Sequence, residues 1–133
     1  MDAKENERLT RVGPGTPAGE MLRRYWWPIG FSEEVAKTPF AVRILAEDLV
    51  LFRDGHGRVG LVEQHCAHRG ASLEFGRIED RGIRCCYHGW LFDTEGRCLD
   101  QPAEPEDSTL KDDVRQPAYH TQEVSGFIFA YLG

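Results

Sequence analysis

Two short segments of the chain concentrate the residue types that bind metals: Gln64-His65-Cys66-Ala67-His68-Arg69-Gly70 and Arg84-Cys85-Cys86-Tyr87-His88-Gly89-Trp90. Each offers a thiolate and an imidazole within one turn, with glycine one or two residues after the histidine. The first pair reads Cys-x-His; the second reads Cys-x2-His through Cys85 or Cys-x-His through Cys86. Two loops that each supply one Cys and one His can clamp two metal atoms side by side. One iron would take both thiolates and the other both imidazoles, the mixed ligand set of a [2Fe–2S] centre. Gly70 and Gly89 would let the backbone turn tightly and aim N–H groups at the sulfurs. A structural zinc ion is the competing reading, since two Cys and two His form a tetrahedral set. Zinc-finger spacing groups Cys with Cys and His with His, however, whereas each pair here is mixed.

Strands and turns must position these loops. Residues 1–15 read as a loose entry ending in Gly13-Pro14-Gly15. Thr16-Pro17 then reads as an N-cap with proline at the first helical position, opening a short helix through Met21, Leu22 and Tyr25 that stops before Trp27-Pro28. From Ile29 the pattern becomes strand-like. Val42 and Ile44 alternate around Arg43, Glu47-Asp48 reads as a turn, and Leu49-Val50-Leu51-Phe52 is an apolar run typical of a buried strand. Asp54-Gly55-His56-Gly57 signals a hairpin into Val59-Gly60-Leu61-Val62. A second hairpin is expected from Trp90-Leu91-Phe92 through Asp93–Gly96 to Arg97-Cys98-Leu99. Asp100 to Gln116 is acidic and carries prolines, as a surface loop would. Strands resume at Tyr119–Glu123 and Phe127–Leu132. The expected fold is all-β with a short N-terminal helix.

The length of 133 residues and mass of 15.1 kDa fit one domain, large enough to bury roughly two-thirds of its unfolded surface. Sixteen Lys+Arg against 22 Asp+Glu leave a formal charge of −6, which argues against a general nucleic-acid binder. A hydrophobic content of 41% excludes a disordered chain. The longest apolar stretch, Gly126 to Leu132, is far shorter than the ~20 residues that span a bilayer. The polar opening MDAKENERLT is not a secretory signal. The expectation is a soluble, cytoplasmic domain without a membrane partner. Its four cysteines (Cys66, Cys85, Cys86, Cys98) are then ligands or free thiols rather than disulfides.

The motifs Cys66-Ala67-His68-Arg69-Gly70, Cys85-Cys86-Tyr87-His88-Gly89-Trp90 and Phe92-Asp93-x-x-Gly96 resemble the N-terminal Rieske domain of ring-hydroxylating oxygenase α-subunits. The similarity is strongest to the phthalate-dioxygenase-like and O-demethylase-like group. It extends to Leu9-Thr10-Arg11-Val12-Gly13-Pro14-Gly15-Thr16-Pro17 and Arg23-Arg24-Tyr25-Trp26. The resemblance implies a Rieske-type antiparallel β-sandwich with an inserted cluster-binding subdomain. Residues 1–26 would form an N-terminal segment with the short helix, and residues 27–133 the Rieske domain. It also implies Cys66, His68, Cys85 and His88 as ligands of a Rieske [2Fe–2S] cluster, because the family pattern has two residues between its second Cys and His. Cys86 would then be a packed thiol. The chain stops at Gly133 directly after its last expected strand, which reads as a cut within a longer protein whose C-terminal catalytic domain is absent.

That resemblance implies electron transfer within a non-haem iron oxygenase that hydroxylates aromatic rings or O-demethylates. The donor would be an NAD(P)H-dependent reductase or ferredoxin. The acceptor would be a mononuclear Fe(II) in the absent domain, in the neighbouring subunit of a homotrimer. A stand-alone Rieske ferredoxin is the alternative. No catalytic residue is expected in this chain. Two ferric ions, two sulfides and two thiolates cancel in charge, whereas four thiolates leave the site anionic. Histidine ligation therefore raises the potential to about −150 to +300 mV, against about −400 mV for plant-type ferredoxins. Quinol-oxidising relatives place hydroxyl residues where Trp90 and Phe92 stand, and disulfide cysteines where Ala71 and Tyr87 stand, so a value near the lower end is expected here. The outer nitrogens of His68 and His88 should reach the surface. His56 and His120 read as solvated, His65 as packing beside a ligand, and Trp26, Trp27 and Trp90 as core. Arg69, Arg77, Arg81 and Arg84 read as a solvated face ion-paired with Glu74, Glu79 and Asp80, with a docking face as the alternative.

Overall fold

The computed structural model describes residues 1–133. Two antiparallel sheets form the body. The first has six strands in the order β1-β10-β9-β4-β3-β2, comprising β1 (Trp26–Phe31), β2 (Phe40–Ile44), β3 (Glu47–Arg53), β4 (Val59–Glu63), β9 (Ala118–Val124) and β10 (Phe127–Tyr131). The second, β5 (Arg77–Glu79), β6 (Gly82–Arg84), β7 (Leu91–Phe92) and β8 (Cys98–Asp100), lies in sequence between β4 and β9 and has the order β5-β6-β7-β8. The antiparallel β fold with an inserted four-stranded unit is as expected. Two helices precede it, α1 (Ala3–Thr10) and α2 (Pro17–Leu22).

The continuous apolar run in β3 is explained by burial on both faces. Leu49 and Leu51 join Leu61, Ile128, Ala130 and Leu132 in one core. Val50 and Phe52 point the opposite way, with Val62, into a second core made with Cys66, Leu73, Ile83, Cys85, Trp90, Phe92 and Cys98. A strand alternates its side chains between faces, so only a strand covered on both sides reads as unbroken apolar sequence. The second core joins the inserted unit to the six-stranded sheet. Each fully buried Leu, Val or Phe contributes about 1.5–3 kcal/mol to that joint.

Several local expectations are corrected. Residues 3–10 form a helix, not a loose entry, started by Asp2, whose side chain accepts from Glu5 N–H at 2.7 Å. No residue of α1 is buried. Thr16 caps α2 as expected, but the helix ends at Leu22, and the strand begins at Trp26, ahead of Pro28. Proline is tolerated there because β1 is an edge strand. The turn before β3 is at Leu45-Ala46, both at positive φ, rather than at Glu47-Asp48. The hairpin β5–β6 was not signalled by composition. Trp26 is exposed on the sheet edge against Tyr131, so of the three tryptophans only Trp90 is fully in the core.

Arg23 fastens the N-terminal segment to the sheet. Its guanidinium is 2.5 Å from Glu47, which also accepts from the Tyr119 hydroxyl. Burial, with Glu47 adding to it, pushes Tyr119 up to about 12. No helix is long and apolar enough to cross a membrane.

Candidate metal centre

The connections β4–β5 and β6–β7 carry the metal-binding residue types, and both turn on one backbone frame. In the first, Cys66 N–H donates to the Ala71 carbonyl (2.9 Å) and Gly70 N–H donates to the Cys66 carbonyl (2.8 Å). In the second, Cys85 N–H donates to the Trp90 carbonyl (2.8 Å) and Gly89 N–H to the Cys85 carbonyl (3.2 Å). Each loop closes on a glycine in the left-handed region, φ +79° at Gly70 and +77° at Gly89. A side chain in that conformation costs about 1–2 kcal/mol. The frame puts Cys85, not Cys86, in the position that Cys66 occupies. Cys66 and Cys85 are both buried, each 4% exposed, while Cys86 is exposed rather than packed.

The donors pair by type. The Cys66 and Cys85 thiols are buried in one core and act on each other, and the backbone N–H groups of His68 and Arg69 favour the Cys66 thiolate. Burial pushes Cys66 up to about 11 and the neighbouring Cys85 adds to this, while the two N–H groups oppose it. Two such thiols give up their protons readily only to a cationic partner. The rings of His68 and His88 stand 4.6 Å apart, edge to face at 72°. Burial, then His88 and Arg69, hold His68 below its ordinary value, against the opposing pull of Glu104. That direction favours the neutral ring, which has a lone pair to offer. His68 Nδ1 is buried with no hydrogen-bond partner in the protein, a loss of about 1–3 kcal/mol unless something else engages it. No three Cys, His, Asp or Glu side chains gather around one point. An orphaned imidazole nitrogen, a buried thiol pair and N–H groups that favour the thiolate together fit a cationic iron–sulfide core.

Trp90 stacks on His68 with centroids 4.2 Å apart and planes 10° from parallel, and closes the site from the core side. Phe92 behind it is fully buried, and neither residue carries a hydroxyl. His88 is exposed beside Tyr87, at 3.8 Å between centroids, whereas His68 is only partly exposed under Trp90. His56 and His120 are exposed as expected; His65 is also exposed, with Nδ1 3.1 Å from Glu63. Cys98 lies buried in the core shared by the two sheets.

Two residues that are not ligands hold the loops; the expected pairing of Arg84 with Glu79 is present, while its grip on the Gly89 carbonyl and the role of Gln116 were not expected. Arg84 is not a solvated surface charge. It donates to the Gly89 carbonyl at 2.5 Å and to Asp100 at 2.8 Å, with Glu79 gripping its other nitrogens at 2.7 and 2.9 Å. Arg77 shares Glu79, so that part of the expected ion pairing is present. Gln116, assigned by composition to a surface loop, is fully buried against the first loop. Its signal in the sequence was slight: a glutamine before Pro117, where the backbone is confined to extended conformations.

The family model of the Rieske [2Fe-2S] domain matches residues 25–121. The chain is 56% identical over 131 residues to the tert-butanol monooxygenase / tert-amyl alcohol desaturase oxygenase subunit of Aquincola tertiaricarbonis, covering 98% of this chain and 28% of that protein. It is 47% identical to the 5,5'-dehydrodivanillate O-demethylase oxygenase subunit of Sphingobium sp., covering 100% of this chain and 32% of that protein. Among solved structures, Pseudomonas putida CBB5 NdmA superposes with a TM-score of 0.78 at 32% identity, over 86% of this chain and 36% of that one. The chain thus spans about a third of the length of the relatives it matches. With its cysteine and histidine pairs on two matched loops and this likeness along its length to domains of oxygenase subunits, the chain belongs to the Rieske [2Fe-2S] domain family.

Proposed function

We propose that Cys66, His68, Cys85 and His88 hold a Rieske [2Fe–2S] cluster, and that the chain is the electron-entry domain of a non-haem iron oxygenase acting on an aromatic or related organic substrate. The observation that carries the reading is the matched pair of loops, which bring thiol to thiol and imidazole to imidazole. When bound, the cluster takes up and returns one electron at a time. The chain's own residues bind and shelter it. Cys66 and Cys85 supply negative charge, and His68 and His88 supply neutral donors. The N–H groups of His68 and Arg69 favour the reduced, more negative state at Cys66. Trp90 excludes water on one side, while exposed His88 and Tyr87 leave a face for a partner. With no hydroxyl from Trp90 or Phe92, the potential lies toward the lower end of about −150 to +300 mV.

An NAD(P)H-dependent reductase or ferredoxin donates the electron. The acceptor is a mononuclear Fe(II) held by two His and a carboxylate in a catalytic domain of the whole protein, within a neighbouring subunit of a homotrimer. Residues 27–133 are the folding unit of the cluster domain, and the protein works in the cytoplasm. The oxygenase reading is favoured over a free ferredoxin because the high identity to oxygenase subunits runs along nearly the whole chain. Anaerobic loading with iron and sulfide tests the assignment. A visible spectrum and a reduced-state EPR signal, both lost on Cys66→Ser and Cys85→Ser, support it. A chain that stays colourless overturns it.

A further inference from the structure

Gln116 is the one fully buried polar side chain next to the candidate cluster, and every hydrogen bond its amide makes reaches the first loop or the strand end leading into it. Oε1 accepts from Ala67 N–H at 2.8 Å. Nε2 donates to the carbonyls of His65 and Glu63, each at 2.8 Å, with Glu63 Oε2 at 3.5 Å. Its own N–H donates to the Gly96 carbonyl at 2.8 Å, and the next residue, Pro117, accepts from Glu63 N–H at 2.8 Å. Gln116 therefore bridges the turn between β7 and β8, the end of β4 and the peptide that follows Cys66.

That peptide matters most. Ala67 N–H belongs to the peptide joining Cys66 to Ala67, and the next two peptides, which carry the N–H groups of His68 and Arg69, lie inside the turn that Gly70 N–H closes on the Cys66 carbonyl. Anchoring the first peptide plane narrows the directions open to the following two, which are joined to it through the φ and ψ of Ala67 and His68 alone. We propose that Gln116 is a positioning residue, which through Ala67, His65 and Glu63 sets the orientation of the Cys66–Gly70 loop and thereby the redox potential of the centre. This rests on the ligand reading above. N–H groups directed at a ligand sulfur stabilise added negative charge and raise the potential. Freeing the loop weakens them and lowers it. A role confined to folding would change stability without moving the potential of molecules that fold.

Gln116→Met keeps the length and removes the amide; Gln116→Glu keeps the acceptor for Ala67 and loses both donated bonds. Each full chain is loaded with iron and sulfide and compared with the unaltered one by potentiometry, reduced-state EPR and hydrogen exchange. Gln116→Met is expected to show a more negative midpoint and displaced EPR lines. Exchange across residues 66–69 should rise about tenfold, with residues 85–89 unchanged. Gln116→Glu, which turns an oxygen toward the Glu63 and His65 carbonyls, should free the loop at least as much as Gln116→Met. A loaded Gln116→Met with the original midpoint, EPR and exchange overturns this proposal alone. If the unaltered chain takes up no cluster, the ligand reading falls and this proposal with it. Where Gln116→Met does not fold, Gln116→Glu decides by the same readings.

Discussion

The Cys66–Gly70 loop and the Cys85–Gly89 loop turn through the same two hydrogen bonds, yet the first is fastened by a neutral, fully buried amide and the second by an ion-paired guanidinium near the surface. The two also differ in exposure, with His68 partly covered by Trp90 and His88 open to solvent. A neutral clamp holds equally at any pH where the chain folds. The charged clamp depends on Glu79 staying ionised. A common backbone frame can therefore be secured by different chemistry on its sheltered and open sides, with different responses to acid.

The largest test removes the cysteines that open each loop. Cys66→Ser and Cys85→Ser should each abolish the cluster's visible absorption and bound iron, while Cys86→Ser, altering an exposed thiol outside the shared frame, should leave both intact. Cluster loss confined to Cys86→Ser would break the equivalence of the two loops.

Next in size is Arg84→Gln, which frees the Gly89 carbonyl, leaves Glu79 with Arg77 alone and takes the cation from Asp100. A partner removed from a buried ion pair costs about 3–5 kcal/mol, and the residual solvent contact here brings the expected loss to about 2–3 kcal/mol, read by denaturant titration. Hydrogen exchange should rise at residues 85–89 and not at 66–70.

Acid sharpens the contrast. The hydrogen bonds from Arg84, then from Arg77, hold Glu79 at about 2 against an ordinary 4.5. A carboxylate depressed in the folded state stabilises fully above its unfolded value, and that contribution is lost as pH falls from about 4.5 toward about 2. The unaltered chain should lose this part of its stability across that window, whereas Arg84→Gln, already lacking the main partner, should show a flatter acid limb. Equal slopes in the two chains would remove Arg84 as the cause.

The smallest effect comes from the glycines. Gly70→Ala meets nothing within 4 Å and should cost only the left-handed backbone penalty, about 1–2 kcal/mol. Gly89→Ala carries the same penalty and also crowds Pro102 at 3.3 Å, so its melting temperature should fall further. The reverse order would show that the second loop is the more yielding.

The donor set, its spacing, the two loop glycines and the all-β pattern were legible because each is local: ligand type and turn chemistry are carried by residues a few positions apart. The unbroken run Leu49–Phe52 was legible as a buried strand for the same reason, although only the two cores explain why both of its faces are covered. The α1 helix was missed because it buries nothing and so lacks an apolar stripe. Spacing alone left Cys85 and Cys86 open as partners of His88. Only the folded loop sets Cys85 inward beside Cys66 and Cys86 toward solvent. Gln116 reaches Ala67 across 49 residues, and Arg84 reaches Asp100 across 16. Such contacts leave no periodicity in the chain: the first forms where the segment before β9 meets the β4–β5 loop, the second across the inserted sheet between β6 and β8. The sequence by itself determined which atoms can bind metal; contacts between distant segments decided which of them face one another and what holds them there.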